Sequence, residues 1–191
     1  MADITQITVE NGKPDQKVER KLHMVFVNVS DTSGSPEWEL QGRGVEDASV
    51  EYNMDVEQTS DILGRSDTTI SSAKPQMNFD PNTLRVGQKL NSKLVDILRR
   101  GATSELGTFQ VLIVYMFLSE SGTGPYEADQ YANCSIVPTS MGGSDYVGLP
   151  FDLYLSGDRT AGTATITPGS GTTLPTATFT AASSGGGGVG Q

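Results

Sequence analysis

Within residues 46–57, apolar and polar positions alternate without a break from Asp47 to Glu57. Ala48, Val50, Tyr52, Met54 and Val56 fall on one side, with Asp47, Ser49, Glu51, Asn53, Asp55 and Glu57 on the other. A period of two predicts a β-strand with one buried and one wet face. At about 3.3 Å per residue the run spans roughly 40 Å, about twice the usual strand length. Its wet side carries carboxylates and neither Lys nor Arg. A long β face of one charge sign points to a lining rather than to an active site.

Shorter elements flank this strand. Residues 21–29 are rich in β-formers and apolar on both sides, which predicts a buried strand. Residues 37–43 alternate again, with Trp38 and Leu40 opposite Glu37, Glu39 and Gln41, and Gly42 and Gly44 allow a bend or bulge before the long strand. Residues 58–72 are polar and lack the short turn signal of a tight hairpin. They are expected to form a projecting loop, which in a small domain is usually functional or mobile. Residues 73–80 alternate weakly through Met77 and Phe79 and suit a strand returning antiparallel to the long one.

A single helix is expected, over residues 88–100. Leu90, Leu94, Ile97 and Leu98 make one apolar stripe, Arg99 and Arg100 suit the negative end of the macrodipole, and Gly101 follows as the stop. Residues 107–118 are apolar on both faces and β-branched, as in a central strand. Residues 127–141 read as a strand interrupted at Pro138, and 147–155 alternate as a half-exposed strand. The Thr-rich segments 163–167 and 176–180 flank a turn-rich stretch and predict a final hairpin. The polar residues 1–20 read as an extended arm and the Gly-rich residues 183–191 as a flexible tail, leaving 21–182 as one β domain.

Composition agrees with a mainly β protein. Of 191 residues, 36% are hydrophobic and 22 are Gly, so a thin core between sheets is expected, with part of the stability coming from association. No run of 18 apolar residues occurs, and the first residues lack the basic start and apolar run of a secretory leader, so residence in a cytoplasm is expected. Formal charge is −10, and 10 of the 13 basic residues lie in 13–21 or 74–100. Tight nucleic-acid binding requires cations that displace phosphate counterions, and the strands offer too few.

Candidate chemistry is sparse. His23 is the sole histidine and sits in a predicted strand, so no Ser-His-Asp or Cys-His arrangement forms around it. One Cys and one His do not make a zinc site, and acids spread along a strand do not make a calcium loop. Cys134 reads as a small buried residue. The Gly run 185–188 has no following Lys-Ser/Thr and is no phosphate loop. The two glycosylation-type triplets at Asn28 and Asn133 are read as chance matches, since no secretory leader accompanies them. Glu51 and Asp55 resemble a glycosidase pair only in type, because that face has no aromatic platform. No catalytic residue, cofactor or metal is expected.

The order of elements carries a resemblance. It runs polar arm, acidic strand, projecting loop, returning strand ending Met-Asn-Phe-Asp-Pro (77–81), helix ending Asp-Ile-Leu-Arg-Arg-Gly-Ala (96–102), double-apolar strand, then Pro-Phe-Asp-Leu-Tyr (150–154) before the Thr-rich hairpin. Over most of residues 20–182 this resembles the major tail tube proteins of long-tailed bacteriophages, of the type found in phages of Gram-positive hosts. The resemblance implies a β-sandwich or barrel-like fold with a flanking helix, and a non-enzymatic virion subunit assembled in the host cytoplasm. It also implies hexameric rings stacked into a tube, with tape measure and tail terminator proteins as partners, genomic DNA in transit without tight binding, and no membrane. Asp47, Ser49, Glu51, Asn53, Asp55, Glu57, Gln76 and Asn78 would then face the channel. Asp61, Arg65 and Asp67 would lie on the loop between rings, together with the arm. Three other readings remain open at this point: the inner tube of a contractile tail or injection machine, a β-sandwich binding or capsid decoration protein, and a hydrolase using His23 and Glu51.

Overall fold

A computed structural model describes residues 15–30, 34–45, 47–119, 124–155, 157–170 and 173–182. After a 3₁₀ turn at Arg20–Leu22 come β1 (His23–Asn28), β2 (Trp38–Leu40), β3 (Val56–Ser60), β4 (Ser66–Ile70) and β5 (Gln76–Phe79). Helix α1 (Lys89–Arg100) leads to β6 (Phe109–Tyr115), β7 (Tyr126–Pro138), β8 (Phe151–Tyr154), β9 (Arg159–Thr167) and β10 (Thr176–Ala181). The fold is mainly β with one α-helix among the described residues, as the patterning requires. Its residues form two compact units. The Gly-rich tail and residues 1–14 of the expected arm lie outside the described residues.

The first unit holds β1, β2, nearly all of β6, the first part of β7, β9 and β10. Its strands run in the order β10-β9-β7-β6-β1-β2, and the end strands β2 and β10 also touch, so the sheet curls on itself. β1 pairs antiparallel with β6 from His23↔Tyr115 to Val27↔Val111. Phe26, Trp38, Leu112, Val114, Tyr126, Ala128 and Ala164 form the enclosed cluster. Val25, Val27, Val111 and Ile113 are buried on the opposite faces of the same strands, which explains why both runs are apolar throughout. Asp129, buried in β7, accepts from Tyr115 Oη at 3.2 Å and pairs with Arg159 Nε at 2.8 Å. A buried carboxylate needs such partners, and the pairing in turn raises the Arg159 pKa.

In the second unit β8 lies between β5 (Gln76↔Tyr154 to Phe79↔Phe151) and the later part of β7 (Ser135↔Tyr154 to Pro138↔Phe151). Met77, Phe79, Cys134, Ile136, Phe151 and Leu153 are buried, and the Phe79 and Phe151 rings stack at 4.8 Å. Cys134 is the buried small residue expected. Within β7, Asn133 takes a left-handed φ of 55° between the end of the β9 pairing and the start of the β8 pairing. From α1, Leu90, Leu94 and Ile97 are buried, whereas Leu98, expected on the same stripe, is exposed. Gly101 ends the helix at φ 67°, a left-handed value that favours glycine, and the Ala102 N–H closes on the Ile97 carbonyl at 3.1 Å.

Two expectations are corrected here. The single strand over residues 46–57 is not continuous. Regular pairing begins only at Val56, and residues 47–55 contain one isolated bridge, Glu51↔Gln76. Asn53 adopts φ 44°, which breaks the pleat, and Pro75 on the returning side has no N–H to give to a ladder. The expected loop 58–72 is instead a β-hairpin, β3 pairing β4 from Val56↔Ile70 to Ser60↔Ser66. Its turn is held by the Asp61 carboxylate, which accepts from the N–H groups of Leu63 (2.9 Å) and Arg65 (2.8 Å), while Gly64 supplies a left-handed φ of 78°.

Candidate functional site

The hairpin extends backward into an antiparallel ribbon running from Glu51 to Gln76. The Ser71 N–H donates to the Asp55 carbonyl at 2.9 Å, the Lys74 N–H to the Tyr52 carbonyl at 2.8 Å, and Glu51 and Gln76 exchange both backbone bonds. The Asp55 N–H donates to Ser71 Oγ and Asn53 Nδ2 to the Lys74 carbonyl, at 2.8 and 3.3 Å. On the hairpin one face shows Val56, Gln58, Ser60, Ser66, Thr68 and Ile70, and the other shows Glu57, Thr59, Asp67 and Thr69. The register puts Val56 and Ile70 on one face and Glu57 on the other, but these apolar side chains are not covered. Tyr52, Met54, Val56 and Ile70 are 54%, 51%, 64% and 61% exposed, and every residue from 51 to 70 is exposed. Of the apolar side chains at 48–56, Ala48 is buried and Val50 half-buried. A two-stranded ribbon with no supporting face is marginal in water.

Beside Glu51 lies the wet face of the β5–β8–β7 sheet. Gln76 Nε2 donates to Glu51 Oε2 at 3.0 Å, and Asn78 Nδ2 donates to Asp152 Oδ1 at 2.8 Å. Of the expected channel residues the structure thus brings Glu51, Gln76 and Asn78 together and adds Asp152. Alternation at 147–155 already placed Asp152 opposite Phe151 and Leu153, but its register against Asn78 was not readable. Asp47 and Ser49 bond to each other, Ser49 Oγ to Asp47 Oδ1 at 2.6 Å, and both are exposed. Asp55 and Glu57 stand exposed on the ribbon. Asp61 and Arg65 bracket its turn, and Asp67 lies in β4. From 51 to 76 the ribbon carries five carboxylates against Arg65 and Lys74, so it is acidic but not free of cations.

His23 sits half-buried beside Tyr115 and Phe117, with ring centroids at 5.5 and 6.4 Å. Burial lowers its pKa, and Arg20 adds repulsion. That is the setting of a packed ring. Among the described residues no three His, Cys, Asp or Glu side chains converge to hold a metal ion. No helix among them is long and apolar enough to cross a membrane.

No family model matches the chain, and no curated protein matches it. Among solved structures it is similar to the tube-terminating cap of the anti-feeding prophage, at 13% identity and a TM-score of 0.46, covering 79% of this chain and 94% of that one. It is similar to a chain of the sheath–tube complex of an extracellular contractile injection system in the extended state, at 12% identity and a TM-score of 0.45, with 78% and 94% covered. A sheath/tube terminator structure of such a system matches at 11% identity and a TM-score of 0.45, with 75% and 96% covered. Likenesses this distant assign neither fold nor function.

Proposed function

We propose that the chain is a structural, non-catalytic subunit of a phage-type tail tube. The single observation behind this reading is the ribbon at 51–76: hydrogen-bonded, carrying large apolar side chains, yet exposed at every residue from 51 to 70. Covering half-exposed Tyr52, Met54, Val56 and Ile70 on association gains roughly 1 kcal/mol for each side chain. Joining ribbons from successive copies also satisfies their open edges, and closure into a barrel removes the edges altogether. In this reading six copies close a ring and rings stack. Asp47, Ser49, Glu51, Asn53, Asp55, Glu57, Gln76, Asn78 and Asp152 face the channel, while Asp61, Arg65 and Asp67 lie at the ring-to-ring contact. Carboxylates along the wall deny DNA the cation contacts that would release its counterions and hold it, so a genome passes without tight binding. Tape measure and tail terminator proteins are the partners this architecture requires in a virion tail.

Electron microscopy of the full chain at rising concentration is the test. Hollow rods with sixfold rings are expected. Dispersed particles at every concentration would contradict the proposal.

A further inference from the structure

Helix α1 and the loop before it frame an open groove of about 420 Å³, lined by Leu84, Arg85, Val86, Asn91, Ser92 and Val95. Its floor is built: buried Asn91 accepts from Asn82 Nδ2 at 3.1 Å and donates to Gln88 Oε1 at 2.7 Å. A second loop is zipped to its rim, since the Leu84 N–H donates to the Val147 carbonyl at 2.8 Å and Thr83 bridges Gly148. Val86, Tyr146 and Val147 are nonetheless exposed, Val86 fully so at 108%. The same chain carries a shape of the opposite kind. The hairpin turn, locked by Asp61, presents Ile62 at 103% and Leu63 at 75% exposure. Turn positions normally take polar or flexible residues. Two large aliphatic side chains on a rigid turn are knobs without a hole.

Charge matches the two surfaces. Residues 83–95 carry Arg85, Lys89 and Lys93 with no acid, while 55–67 carry Asp55, Glu57, Asp61 and Asp67 against Arg65 alone. Complementary potentials steer encounter and set register. Because the Ile62 side chain is fully exposed, its own groove is not where it rests.

We infer that the turn Ile62–Leu63 of one copy seats in the Leu84/Val86/Val95 groove of a second copy. This contact rests on the tail-tube reading and deepens it by giving the hairpin tip a receiving surface. It joins unlike patches, so each copy both gives and receives; in the tube the tip and groove of one copy engage two different neighbours, and successive copies extend the assembly.

The test uses the full chain with Val86→p-benzoylphenylalanine, mixed with an isotope-labelled chain, irradiated under assembly conditions and mapped by mass spectrometry. Mixed-isotope adducts at residues 61–65 are expected. Leu63→Asp should abolish them and raise the concentration needed for assembly at least tenfold. Its thermal unfolding should stay unchanged, because the side chain is exposed in the single chain. Rods that form with adducts elsewhere, or with none, overturn this docking and leave the tube reading standing. Absence of rods and of adducts at any concentration overturns both.

Discussion

From Val25 to Val27 in β1 and from Val111 to Val114 in β6 the side chains are buried, and nothing outside the chain is needed to cover them. In the ribbon the equivalent apolar positions, Tyr52, Met54, Val56 and Ile70, stand more than half exposed. Both regions are β-structure built from alternating or continuous apolar residues. They differ in what encloses them: β1 and β6 lie within a curled sheet whose end strands meet, whereas β3 and β4 pair only with each other. The first region therefore carries stability of the single chain, and the second leaves apolar surface that the proposed tube would cover.

Four substitution experiments probe that contrast, beginning with the largest effect. Phe26→Ala empties a fully buried position in the curled sheet and should cost about 3–5 kcal/mol, read as a lowered denaturant midpoint. A loss under about 1 kcal/mol would mean that this core is not what holds the unit. Val56→Lys with Ile70→Asp, an opposite-charge cross-strand pair, should do the reverse, leaving the unfolding free energy within about 0.5 kcal/mol while abolishing rods in the microscope. Equal damage to folding and assembly would erase the distinction between the regions.

Replacing Glu51, Asp55 and Glu57 together by Lys probes the charge of the ribbon and not its apolar side. Rods should still form, and DNA should now be retained, slowing ejection in a salt-dependent manner. Ejection kinetics identical to wild type would remove the electrostatic part of the account.

The smallest effect concerns His23. Its folded pKa lies below the unfolded value of about 6.5, because burial disfavours the charged ring. Above that pH both states hold the neutral ring and stability is full. As pH falls below it, the unfolded state binds the proton first, and stability drops until the folded pKa is passed. Melting curves from pH 7.5 to 5.5 should therefore decline more steeply for the wild type than for His23→Gln. Parallel curves would mean that the ring is not desolvated.

Much of this fold was legible because burial within one chain leaves a complete trace in its sequence. The double-apolar runs predicted β1 and β6, the stripe Leu90, Leu94, Ile97 with Gly101 predicted α1, and the Thr-rich segments predicted β9 and β10. Alternation at 46–57 anticipated Val56 and Glu57 on opposite faces of β3 and was wrong about burial, since Tyr52, Met54 and Val56 stand exposed. Period alone reports that one side is to be covered, but not whether the cover belongs to the same molecule. Continuity failed locally at Asn53, whose left-handed backbone no periodic pattern reveals. The hairpin turn did have a signal, Asp61 followed three residues later by Gly64, which a search for two-residue turns passes over. Asp152 joined Asn78 through a register between strands distant in sequence, and register is set by tertiary packing.

The central claim, that the ribbon is completed by neighbouring copies, is tested most directly by amide hydrogen exchange at residues 51–70, compared between dilute and assembled protein. The account predicts rapid exchange in the single chain and at least a hundredfold slowing in the assembly, with β1 and β6 unchanged. Equal exchange of the ribbon in both states would contradict it.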